Sequence, residues 1–210
     1  MSRAMRWAMK GAALASGLLL VPGVAKLAAQ TPYNLEIRGG IVAPAGDLAD
    51  ATSLGGSLGV GVGYWVNQWV GVRVDGDVDI LPGETVQGGI MPDMTLWHYN
   101  AGLEVRALKP GTTPWTLLFN VGAGATTLDT DAFPGAGPDG DVTQTYFALN
   151  GGVKLGYDVN PTVNVWVGSQ MYVTFTDDAD LVTLAALSPS VSPFTTAWSF
   201  PITAGIRFNL

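Results

Sequence analysis

The chain has 210 residues and a formal net charge of −7, with 28 glycines, no cysteine and 13% charged against 48% hydrophobic residues. The missing cysteines exclude disulfides, a thiol nucleophile and thiolate metal sites. The length fits one domain, the apolar content excludes a disordered chain, and the charged fraction is about half that of an average soluble domain.

The N-terminal segment is typical of a secretory signal, and we divide the chain into a signal peptide, residues 1–29, and a mature domain, residues 30–210. The segment begins with several basic residues, and the apolar stretch that follows them is too short to span a bilayer. Small residues then offer cleavage after Ala29, with Ala25 as the other possible site.

Removal of this segment changes the charge balance. It contains Arg3, Arg6, Lys10 and Lys26, four of the ten basic residues, so six remain against seventeen acidic ones. The mature chain is therefore strongly acidic, which disfavours nucleic acid as a partner.

Beyond residue 30 the sequence alternates with a period of two. In 69–80 one face carries only apolar side chains, and the other carries Gly71, Arg73, Asp75, Asp77 and Asp79. This pattern predicts a strand with one apolar and one charged face. Eight segments alternate in this way: 33–42, 54–64, 69–80, 95–107, 115–127, 144–158, 163–175 and 198–208. An even number of such strands predicts an all-β fold, an antiparallel up-and-down barrel.

The connections alternate as well. Short turns are predicted at 67–68, 109–114 and 160–161, and long loops rich in Pro, Gly and Asp at 44–53, 81–93, 129–141 and 177–194. Short turns at one rim and long loops at the other are typical of outer-membrane barrels.

Five of the six basic residues of the mature chain lie on the polar faces of strands and not in loops, which favours a transmembrane barrel over a soluble one with an apolar interior. We expect the polar face to form a plugged lumen in which one ion-pair network joins Glu36, Arg38, Arg73, Asp75, Asp77, Asp79, Glu104, Arg106, Lys154, Asp158 and Arg207, with Trp166, Tyr146 and Tyr172 as bulk. On the apolar face we expect two aromatic girdles. One comprises Tyr33, Tyr64, Trp115, Tyr157 and Phe208 at the short-turn end, and the other Trp97, Tyr99, Phe175, Trp198 and Phe200 toward the loop end.

Two sequence stretches add a family resemblance. The opening strand 36–40, Glu-Ile-Arg-Gly-Gly, is followed by Pro-Ala-Gly-Asp-Leu at 44–48, and the chain closes with Ala-Gly-Ile-Arg-Phe-Asn-Leu at 204–210. With the signal and the eight strands, this whole pattern resembles the small outer-membrane β-barrels typified by the OmpA and OmpX membrane domains. The resemblance implies insertion by the barrel-assembly machinery.

Few residues point to chemistry. His98 is the only histidine and is predicted to face the lumen, so we expect no catalytic residue there. Asp75, Asp77 and Asp79 lie in a strand and lack the rest of a calcium loop. Glycines 59, 61 and 63 have no helix N-terminus after them to hold a phosphate; instead they leave the interior side of their strand free for long neighbouring side chains. We therefore expect no cofactor and no metal.

The function expected from the sequence is structural or interactive, in the outer membrane of a Gram-negative-type bacterium. The barrel would be a monomer that presents four loops to outer-membrane lipid, lipopolysaccharide or other surface molecules. Two alternatives stay open: a narrow passive channel for small solutes and, third, an enzyme that modifies envelope lipid.

Overall fold

The computed structural model describes residues 32–210 except 51, 84, 87–88, 91–92, 109–110, 112, 131–141 and 177–195. The predicted signal peptide and most of the acidic loop residues therefore lie outside the described residues. Within the described part, no helix is long and apolar enough to cross a membrane.

Eight long strands form the molecule. They are β1 (Tyr33–Ala45), β2 (Gly55–Trp65), β3 (Val70–Leu81), β4 (Met94–Arg106), β5 (Trp115–Thr130), β6 (Val142–Asp158), β7 (Val163–Phe175) and β8 (Thr196–Asn209). Each pairs antiparallel with its sequence neighbours, and β1 pairs with β8 from Asn34↔Asn209 to Ala45↔Trp198, which closes the barrel. The predicted eight-stranded up-and-down barrel is confirmed.

Short turns lie at the end of the barrel where β1 begins and β8 ends. In the β2–β3 turn, the side-chain oxygen of Asn67 accepts hydrogen bonds from the backbone N–H groups of Trp69 and Val70, at 2.8 and 2.9 Å. Asn160 makes the same pair of bonds in the β6–β7 turn. Asparagine favours such turns because its side chain replaces a backbone acceptor.

At the opposite end, the strands reach further than the alternation predicted. β5 continues to Thr130 and β6 starts at Val142. Asp129, predicted to lie in a loop, pairs instead with Thr143 and accepts a hydrogen bond from its hydroxyl at 3.1 Å. The prediction was wrong because it took the acidic residue as a loop signal and gave too little weight to the threonines around it, which favour extended backbone.

Two of the predicted long loops contain regular structure. A 3-10 helix, Gly46–Asp50, follows β1 directly. In the connection after β3, Thr85–Val86 pairs with Gly89–Ile90.

The polarity of the barrel is the reverse of that of a soluble protein. Charged side chains such as Glu36 and Arg73 point into the lumen and are buried, whereas Val74 and Val121 point outward and are 63% and 61% exposed. The faces that the sequence alternation predicts to be polar therefore point into the lumen.

Because this exterior is apolar, a charged side chain placed on it should destabilise the barrel when the barrel lies in a bilayer. Val121→Arg, on the outer face of β5, should lower the free energy of unfolding by about 2–4 kcal/mol, because the arginine would lie in hydrocarbon. The matched control is Val66→Arg, since Val66 is equally exposed, at 60%, but lies in the β2–β3 turn. The measurement is urea unfolding in phospholipid vesicles, and equal losses at the two positions would contradict a lipid-facing exterior.

Candidate functional site: the barrel lumen

Three neighbouring strands position the charged side chains of the lumen. In the register of β1, β2 and β3, Gly59 lies directly between Arg38 and Asp77. The guanidinium of Arg38 crosses over the glycine, and its Nε and Nη2 donate to the two carboxylate oxygens of Asp77, each at 2.7 Å. This bidentate geometry is the strongest form of side-chain ion pair.

Glycine is required on β2 by this close approach. A Cβ at Gly59 would collide with Asp77 and Arg38, and a Cβ at Gly61 would collide with Asp75 and Arg73. The prediction that the β2 glycines leave room for long side chains of neighbouring strands is confirmed.

Glu36 is the centre of the charged groups. It is fully buried and accepts bonds from Lys154 at 2.6 Å and Arg207 at 2.7 Å, while Arg38 and Arg73 lie 2.9 and 3.2 Å away. Four cations from four strands thus converge on one carboxylate, which offsets the cost of removing that charge from water.

Further acids complete the charge balance. Glu104 pairs with Arg73 at 2.8 Å and with Arg207 at 2.7 Å. Asp75 accepts two hydrogen bonds from Arg73, both at 2.7 Å, and one from Arg38 at 2.8 Å. We call the connected group the ion cluster: the acids Glu36, Asp75, Asp77 and Glu104 with the bases Arg38, Arg73, Lys154 and Arg207. It has no net formal charge.

Some of these contacts cross the barrel completely. Arg207 on β8 and Glu104 on β4 are separated by three strands on either side, and so are Tyr172 on β7 and Asp77 on β3. The hydroxyl of Tyr172 donates to Asp77 at 2.6 Å. Opposite walls are therefore bridged directly at two places.

A layer of hydrogen-bonded polar side chains lies between the ion cluster and the loop end. Nδ1 of His98 is 2.7 Å from Oγ1 of Thr126, and its Nε2 is 3.2 Å from a carboxylate oxygen of Asp79. The imidazole also stacks on Tyr172, with ring centroids 3.9 Å apart. Hydroxyl, imidazole and carboxylate are in the order of a catalytic triad, but Thr126, His98 and Asp79 are all completely buried.

An apolar layer lies at the loop end of the lumen, and sequence reasoning missed it. We call it the apolar collar: Val42, Leu48, Leu81, Met94, Leu96, Leu128, Tyr146 and Ala197, all buried. Leu96 and Leu128 share the inward parity of His98 and Thr126. This parity could have identified them, but the inward face was read as uniformly polar.

Not every predicted member joins the ion cluster. Arg106 is half-buried and lies over the Trp65 ring, 4.3 Å from its centroid. Asp158 accepts a hydrogen bond from Asn164 at 2.7 Å, and Asp79 contacts His98 and Ser199. Among the described residues, no ion pair joins these three to the cluster.

The predicted bulky and aromatic residues have clear positions. Trp166, Tyr146 and Tyr172 are buried in the lumen. The ten girdle residues all face outward. Tyr33 packs on Tyr64 and Trp115 on Tyr157 at the short-turn end, and Phe175 stacks on Phe147 toward the loops. Tyr99 lies in the middle of β4 and not near its rim.

The four acidic residues of the ion cluster pair with Arg or Lys side chains. Within the part of the chain that the structure describes, no group of three or more His, Asp or Glu could hold a metal ion. The carboxylate oxygens of Asp75 and Asp77 accept hydrogen bonds from arginine side chains.

A closed barrel with an apolar exterior, a charged interior and short turns at one rim is a transmembrane β-barrel. No family model and no curated protein sequence matches the chain.

The fold is similar to that of small eight-stranded outer-membrane barrels. Neisserial surface protein A matches with a TM-score of 0.59 and 14% identity, over 86% of this chain and 98% of its own. OprG from Pseudomonas aeruginosa gives 0.53 and 13%, over 86% and 98%. Ail, the attachment invasion locus protein of Yersinia pestis, gives 0.50 and 12%, over 85% and 99%.

The glycines of β2 offer a test of the ion cluster. Gly61→Val should destabilise the barrel by about 1–3 kcal/mol, since its side chain would displace Asp75 and Arg73 in a filled interior. Gly56→Val is the matched control on the same strand, because a Cβ there has no neighbour within 4 Å. Both are measured by urea unfolding in vesicles, and a Gly61 variant as stable as the Gly56 variant would contradict the packed geometry.

Proposed function

We propose that the protein is a monomeric outer-membrane barrel, exported through a cleaved signal peptide, that has a closed lumen and acts through its surface loops. The barrel anchors and spaces four loops, which contact lipopolysaccharide, other outer-membrane lipid or molecules of another cell surface. The observation that carries this proposal is the pair of contacts across the lumen, Arg207 to Glu104 and Tyr172 to Asp77.

These contacts support a closed lumen for a physical reason. An eight-stranded barrel is only wide enough for side chains to fill its interior. Ion pairs that join opposite walls occupy this width, and a solute would have to separate buried charges, which costs several kcal/mol for each ion. The apolar collar adds a second obstruction at the loop end.

A role for the loops is supported by their distribution. All the long connections lie at one end, whereas the other end has only short turns. Two of the similar structures are a surface protein and an attachment protein by name. Loops on a rigid scaffold are common sites of binding.

The second candidate, a narrow channel, is favoured by one observation. The inner wall from β3 to β6 is polar, because Arg73, Asp75 and the asparagines 100, 120 and 150 lie there side by side. Both amide atoms of Asn100 are buried without a hydrogen-bond partner. Such a polar wall would suit water or a small polar solute if the remaining lumen opened.

Conductance separates the two candidates. Purified wild-type protein in planar bilayers should give no discrete single-channel steps, because the ion cluster closes the lumen. Arg207→Ser combined with Leu48→Ser removes one of the bridges across the barrel and one side chain of the apolar collar. This double variant should give measurable leakage and acts as the positive comparison. Reproducible single-channel current steps from the wild-type protein would contradict the closed lumen and favour the narrow channel.

The loop role has its own test. The acidic loops contain Asp131, Asp139, Asp177, Asp178 and Asp180, and carboxylates are ligands that Ca²⁺ prefers. Co-flotation of detergent-purified protein with lipopolysaccharide vesicles should strengthen with Ca²⁺ and weaken with EDTA. A variant in which these five residues are Asn should lose this dependence while keeping the heat-induced gel shift of a folded barrel. Unchanged calcium dependence in that variant would contradict a cation bridge to lipopolysaccharide.

A further inference from the structure

Leu48 differs from the other members of the apolar collar in its origin. The other seven members lie on six barrel strands, but Leu48 belongs to the helix Gly46–Asp50, in the connection after β1. Its side chain is 0% exposed. A surface connection therefore places a leucine inside the mouth of the barrel.

The local backbone explains how the connection folds inward. Gly46 has a φ of +60°, a left-handed conformation that glycine adopts without the cost of a Cβ. The chain can therefore reverse directly after β1 and pass back over the lumen.

Thr52 and Ser53 fix the end of this turn. The backbone N–H and the hydroxyl of Thr52 both donate to the carbonyl of Leu48, at 3.1 and 2.8 Å. Ser53 N–H donates to the carbonyl of Pro82 at 2.9 Å, and Thr52 pairs with Gly83. The turn is thus held by the connection that follows β3.

We propose that the turn Gly46–Asp50, with Thr52 and Ser53, is a lid that opens and closes the loop end of the lumen, with Leu48 as its plug. In the closed state the lid separates the loop side from the polar layer of His98, Asp79 and Thr126. This seal is independent of the ion cluster, which lies deeper in the barrel.

Among the described parts of the barrel mouth, the lid can open at least cost. The collar residues on strands are held by backbone ladders, whereas the described contacts of the lid are the buried side chain of Leu48 and a few hydrogen bonds. Segments with few such contacts open locally far more often than the fold unfolds globally.

His98 reports on the lid because it is the only histidine of the chain and lies completely buried beneath the collar. Diethyl pyrocarbonate modifies accessible imidazoles, and mass spectrometry of the digested protein locates the adduct. Folded wild-type protein in vesicles should be modified slowly, and urea-unfolded protein rapidly.

Leu48→Ser should raise the modification rate of His98 by roughly tenfold or more, as expected from loss of a buried leucine's transfer free energy. Leu54→Ser is the matched control, since Leu54 lies in the same connection but is 58% exposed. The heat-induced gel shift establishes that both variants are folded. A folded Leu48→Ser protein with the wild-type rate would overturn the proposal, as would rapid modification of the folded wild type.

A second variant covers the case in which Leu48→Ser does not fold. Thr52 and Gly83 are directly paired, and the chain has no cysteine of its own, so Thr52→Cys with Gly83→Cys creates a single possible disulfide across the lid. His98 should be modified more slowly in the oxidised than in the reduced form. Equal rates of His98 modification in the oxidised and reduced forms would overturn the proposal that this turn is a lid.

Discussion

The burial of Glu36 is the constraint on which the rest of the lumen depends. A carboxylate at 0% exposure is tolerated only if cations surround it, because an unpaired charge in a narrow, low-dielectric interior costs several kcal/mol. Lys154 and Arg207 must therefore reach it from β6 and β8. Each of these bases in turn needs further acids, so one buried carboxylate fixes side chains on most of the barrel wall.

The interior is layered along the barrel axis. The ion cluster lies in the middle, a hydrogen-bonded layer around His98 and Asp79 follows, and the apolar collar lies at the loop end. The neighbouring layers do not compete for partners, since the ion cluster is neutral as a set and the collar has almost no polar side-chain atoms. An interior layered in this way needs no continuous charge pairing from one rim of the barrel to the other.

Much of this architecture could be predicted from the sequence, because a period of two assigns every strand residue to a face once one face is known. Parity placed Glu36, Arg73 and Lys154 in the lumen correctly and left Val121 outside. The partner of each charged side chain was harder to predict, because it depends on the strand register and on how far a side chain extends across the barrel. Arg106, for example, shares the inward parity of Glu104 but lies over Trp65. Leu48 was missed because it belongs to no alternating segment, so nothing in its neighbourhood indicates that the chain folds back into the mouth.

The bare inner face of β2 also explains why the lumen is asymmetric. With glycine at positions 59 and 61, the charges of β1 and β3 meet directly, and these two strands supply five of the eight members of the ion cluster. The cluster is thereby drawn toward one side of the barrel. The other side has amides instead, and Asn100, Asn150 and Gln170 retain buried atoms without partners. A side chain at Gly59 or Gly61 would push these charges toward the amides, so two glycines of one strand help to determine where the charges of the lumen lie.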